Sequence, residues 1–136
     1  MVIFENIEQA FPEADEIYVY REGQVIRCAQ GGDEYDRIMA VWQSTLEECR
    51  QMPAFGVSLN DMTVKAMQKG VWIEFRYSGV CECQGMGFER LAVNVVGSFK
   101  GFNIVRYCDG LYEGRCYYVD LVRGDMSEVY NCLIRI

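Results

Sequence analysis

The sequence predicts an α+β fold: a mainly antiparallel sheet of about five to six strands packed against one long helix (34–51), plus one or two short helices. Three observations predict it. One apolar stripe with helical spacing runs through Tyr35, Ile38, Met39, Trp42, Leu46 and Cys49. After Gly70 the apolar period changes from 3.6 to 2. From there strand follows strand through short glycine turns, too short for the crossovers that parallel strands need. The chain of 136 residues is read as a single domain, 1–136.

The elements follow in order. Phe4, Ile7 and Phe11 stand at helical spacing before Pro12 and predict a short N-terminal helix. Glu16–Tyr20 and Gln24–Ala29 are rich in β-branched and aromatic residues. The Arg21-Glu22-Gly23 break makes them a hairpin. Gly31-Gly32 interrupts the pattern, and Asp33 is a good N-cap for the long helix, which Met52-Pro53 ends. Residues 54–59 read as a loop containing Gly56. Met62 to Lys69 reads as a short helix closed by Gly70.

Val71 to Tyr77 then alternates, with Val71, Ile73, Phe75 and Tyr77 on one face and Trp72, Glu74 and Arg76 on the other. Residues 88–96, 102–108 and 115–122 read as further strands. Asp109-Gly110 and Glu113-Gly114 are turn signals before the last of them. Met126, Val129, Tyr130 and Leu133 form a closing helix capped by Asp125 or Ser127.

Charge and composition exclude several functions. The net charge is −7, and residues 1–68 carry all of the excess: twelve acids against five bases, with eight of each in 69–136. Binding to nucleic acid or to an anionic membrane surface, which a basic patch drives, is not expected. The N-terminus has no basic start, and no apolar run reaches the ~20 residues of a membrane helix. A cytoplasmic protein is expected, and with it seven cysteines present as thiols rather than disulfides. The chain has no histidine, which removes Ser-His-Asp and Cys-His arrangements and two-histidine metal sites. No phosphate-binding loop of known spacing is present. No cofactor is expected.

The stretches 102–108 and 115–122, if paired, gather Arg106, Tyr107, Arg115, Tyr117, Tyr118 and Asp120. Arg and Tyr on a sheet suit a ligand pocket or a protein interface. Trp72 and Glu74 share a face of their strand. If helices cover only one face of the sheet, Trp72 is an exposed interface marker, and if both faces are covered it is core. Arg106, Arg115, Tyr107, Tyr118, Asp120, Trp72 and Glu74 are therefore the candidate binding residues. Cys81, Cys83, Cys108 and Cys116 are a weaker alternative as a four-thiolate zinc site, because the second pair is too widely spaced.

Two functions follow. The first is a non-enzymatic binding or protein-interaction module of inhibitor or immunity type, whose partner is another protein or a second copy of the chain in a homodimer. The alternative is a small enzyme or binder of a small anionic ligand, using Arg106, Arg115, Tyr118, Asp120 and Glu74 in a cleft beside the sheet.

Overall fold

The computed structural model describes residues 1–54 and 56–136, so Phe55, within the expected 54–59 loop, lies outside the described residues. The α+β class and the mainly antiparallel sheet stand, with two corrections: the sheet is larger and the helices are shorter than the sequence predicts. Eight strands form the main sheet: β1 (Val2–Phe4), β2 (Glu16–Arg21), β3 (Gln24–Ala29), β4 (Arg50–Met52), β6 (Val71–Cys83), β7 (Met86–Asn94), β8 (Gly101–Tyr107) and β10 (Tyr117–Asp120). A two-stranded sheet joins β5 (Val57–Ser58) to β9 (Gly114–Arg115). The helices are α1 (Asp33–Thr45), α2 (Asn60–Ala66) and α3 (Ser127–Leu133). The main sheet runs β3-β2-β6-β7-β8-β10-β4, and β1 pairs parallel with the far end of β6.

The helix expected over 34–51 stops at Thr45. Glu48 takes φ +61°, a left-handed conformation that no helix continues. The chain thereby turns outward, and Arg50–Met52 add a strand to β10. Cys49 prolongs the apolar stripe because it packs against the same core from the turn. The N-terminal helix is likewise replaced by β1 and two 3-10 turns, Ile7–Gln9 and Phe11–Glu13, which still bury Ile7 and Phe11. The strand expected over 115–122 breaks at Cys116, leaving β9 and β10. The hairpin is found as expected, Glu22 and Gly23 both taking positive φ in its two-residue turn.

The main core lies where α1, α3 and the 3-10 turns cover one face of the sheet. Trp42 is fully buried, with its ring 5.0 Å from Phe75, 5.1 Å from Phe11 and 5.2 Å from Phe102. A second, smaller core lies on the opposite face. There Met67 after α2, with Tyr112 and Cys116, covers Tyr20, Trp72, Ala92 and Val105. Trp72 is thus buried, its indole N–H donating to the Lys69 carbonyl at 3.2 Å.

All seven cysteines are free thiols. Burial raises their pKa values, that of Cys83 to about 11. Thiolate is the nucleophile. Alkylation at neutral pH is therefore expected to be slow in the native protein, and mass spectrometry should find all seven labelled after unfolding without reductant. Trp42→Ala is expected to lower stability by about 3–5 kcal/mol in chemical denaturation.

Candidate functional site

The second face of the sheet is ordered by strand register. Tyr18 on β2 stands opposite Glu74 on β6, Glu74 opposite Ala92, and Ala92 opposite Val105 on β8. One row further, Glu16, Arg76, Arg90 and Tyr107 are aligned across the same four strands. On the other side, Tyr20, Trp72 and Asn94 form a parallel row. Alternation along β6 places Trp72, Glu74 and Arg76 on this face together, as their spacing of two requires.

Glu74 is fully buried. A buried carboxylate needs a full set of donors, and Glu74 has them. Tyr20 Oη donates to Oε1 at 2.9 Å, Arg76 Nε donates to the same oxygen at 2.7 Å, and Tyr112 Oη donates to Oε2. Arg76 also donates to Tyr20 Oη at 3.0 Å, and Arg90 Nη1 stands 4.0 Å from Glu74 Oε1. Each arginine lies over a ring: Arg76 Cζ is 3.5 Å from the Tyr18 centroid, and Arg90 Cζ is 4.1 Å from that of Tyr107. Tyr107 in turn meets Tyr112 edge-on.

The electrostatics follow from this packing. Burial and then the Glu74 charge push the Tyr112 and Tyr20 hydroxyls above the ordinary tyrosine range. Burial opposes the Arg76 charge, but the Glu74 carboxylate and Tyr20 outweigh it, and the Arg76 pKa is raised.

Tyr112 belongs to the loop between β8 and β9, and that loop is tied down from several sides. Its backbone N–H donates to Asn60 Oδ1 at the start of α2 (2.8 Å). The Cys116 amide donates to the Gly56 carbonyl (3.1 Å). Residues 56–70 and 108–116 together make a flap across part of this face.

Along the edge of the flap the face stays open. A depression of about 320 Å³ is lined by Gly56–Ser58, Trp72, Asn94, Phe99, Val105 and Cys116, among others. It adjoins a second, of about 410 Å³, and the two share Phe99, Phe102 and Asn103. Tyr118 and Asp120 line the second depression. Gly101 makes room for them. A side chain there would lie 2.8 Å from Tyr118 Oη and 2.7 Å from the Val119 carbonyl. Burial and a hydrogen bond to Asp120 raise the Tyr118 pKa.

The structure therefore divides the residues that the sequence singles out. Glu74, Trp72, Tyr107, Tyr118 and Asp120 share the second face, Glu74 with Tyr107 on one side of Trp72 and Tyr118 with Asp120 on the other. Arg106 falls in phase with Ile104 and spends its donors on backbone: Nε on the Arg115 carbonyl (2.8 Å) and Nη1 on the Gly87 carbonyl (2.7 Å). Arg115 is exposed on β9. The four cysteines separate as well. Cys81 and Cys83 belong to the main core, Cys116 to the second. Cys108 instead lies with Glu89 and Asp109, the one group among the described residues whose potential ligand atoms all fall within 4.8 Å.

Arg76, Arg90, Tyr20 and Tyr112 were not among the sequence candidates. For Arg76 a signal exists, two residues from Glu74 on an alternating strand. Tyr112 sits between two turn signals and carries no periodic cue. A scan against protein-family models and searches of the curated proteins and of the solved structures find no match to this chain.

Removing the Glu74 charge leaves Arg76 without its buried partner. Glu74→Gln is expected to cost about 3 kcal/mol or more in chemical denaturation. Tyr112→Phe, which removes one bond to that carboxylate, is expected to cost about 1.5–3 kcal/mol. Tyr20 and Tyr112 hold their protons more tightly folded than unfolded. Their contribution is full below about pH 10, the unfolded value, and is lost as pH rises beyond it. Denaturation midpoints measured from neutral pH upward should fall above about pH 10, less steeply in Tyr112→Phe.

Proposed function

We propose that the protein is a non-catalytic binding module for another protein or for a second copy of itself, and that its working surface is the open part of the sheet's second face. The observation that carries this reading is the pair of adjoining depressions at the edge of the flap, bordered by exposed apolar side chains. Val57 is 67% exposed and Phe99 52%, and both line the depression that reaches Trp72. Large apolar groups left in water beside aromatic walls favour association. Asn94 and Asn103 are exposed at the same place, and neither side chain spends a hydrogen bond on another described residue. They supply polar contacts that fix orientation.

Binding is supported over catalysis by the state of the candidate groups. Glu74 has no solvent contact, and Arg106 is engaged by two carbonyls. Of the set Arg106, Arg115, Tyr118, Asp120 and Glu74, Tyr118 and Asp120 line one depression, whereas Arg106 and Glu74 stand in opposite phase across the sheet and so on opposite faces.

Photo-crosslinking tests the reading. A benzophenone side chain at Asn103 is expected to capture one defined protein, or a second copy of the chain, and Phe99→Ser is expected to abolish the capture. The same probe at Asp36, exposed on α1, serves as control. Equal capture at both positions, or none at Asn103, overturns the assignment.

A further inference from the structure

We propose that Arg76 and Arg90 form an oxyanion-binding subsite on the second face, which takes the carboxylate or phosphate group of a small molecule. The subsite lies in the row beyond Glu74, away from the open depressions, so it stands independently of the module reading above.

The charge balance carries the inference. Arg76 and Arg90 are direct cross-strand neighbours on β6 and β7. Like charges at such positions repel at close range. Glu74 Oε1 faces both of them, at 2.7 and 4.0 Å, and one carboxylate cannot balance two guanidinium groups. The next acid in the row, Glu16, is bound to Arg27 on β3. Among the described residues no other carboxylate lies within 4.0 Å of either arginine. One positive charge is thus left over in a chain that is acidic overall.

The geometry is prepared for a ligand. A guanidinium offers five N–H donors in a rigid plane, matched to the oxygens of carboxylate or phosphate. Arg90 spends one of its own, a long 3.4 Å bond to Tyr112 Oη. Arg76 spends Nε and one Nη2 hydrogen. Both side chains keep partial access to water, 23% and 29%. Tyr18 and Tyr107 stack against them and hold the two forks in place before any ligand arrives. Preorganisation of this kind reduces the entropy lost on binding.

The test is titration of the full-length protein with inorganic phosphate, with acetate and with malonate, against sodium chloride at matched ionic strength, read by NMR at the arginine Nε–H groups. Saturable shifts at Arg90 and Arg76 are expected with at least one of the three oxyanions and not with chloride. A response to phosphate alone assigns a phosphoryl ligand, and a response to the carboxylates assigns a carboxylic acid. Arg90→Gln, which removes the excess charge and leaves Glu74 and Arg76 paired, is expected to weaken binding by about tenfold or more. Arg90→Lys, which keeps the charge and loses the fork, should fall between the two. The Nε–H signal of Arg76 reports binding in both variants, and their unchanged amide spectra show that the fold is kept. Absence of a saturable shift with all three anions up to tens of millimolar, or equal affinity in Arg90→Gln, overturns the subsite.

Discussion

A carboxylate with no access to water is held against the second face of a sheet whose other face carries the main core. Burying Glu74 costs several kcal/mol before compensation, so the chain must place donors around it. Those donors come from three separate segments: Tyr20 from the hairpin, Arg76 from the same strand, and Tyr112 from the loop between β8 and β9. The loop has other ties, to Asn60, to Glu89 and to Arg106, but Tyr112 makes the one that reaches the buried charge. Its own pairing is the two-residue match of β5 and β9 and one isolated bridge, Cys108 with Leu111. The Tyr112–Glu74 bond joins it to the sheet, and the flap decides which part of the face is covered and which is open.

The two faces of the sheet therefore have different physics. On the helix face, apolar contact around Trp42 dominates, and among the described residues no charged residue is buried as a whole there. On the second face, a thin apolar layer around Trp72 and Met67 shares the surface with a charged row and with open depressions. Burial is incomplete there, and hydrogen bonds set the geometry. Specific recognition needs that combination: rigid polar groups, aromatic walls and access for a partner.

Local pattern made part of this legible from sequence. The hairpin, the alternation of β6 and the stripe of α1 all arise from residues adjacent in the chain, and periodicity reports them directly. The end of α1 was hidden because Cys49 continues the apolar spacing while the backbone has already turned at Glu48. The placement of Glu74 and Trp72 on one face was readable, since spacing by two suffices. Their burial was not. It depends on the 108–116 loop folding back over the sheet, with 38 positions of chain separating Tyr112 from Glu74, and no local rule encodes that return. Arg106 and Tyr107 illustrate the same limit. They are adjacent in sequence, but one secures backbone carbonyls and the other stacks with Arg90 on the opposite side.

Native-state hydrogen exchange tests most directly whether Glu74 anchors the flap. The amides of Leu111 and Cys116 report the flap, and those of Ile73 and Val93 report the sheet beneath it. Tyr112→Phe is predicted to speed exchange at the flap amides selectively while the sheet amides keep their relative protection. Unchanged flap protection in the variant, or a uniform loss across flap and sheet, would contradict the account.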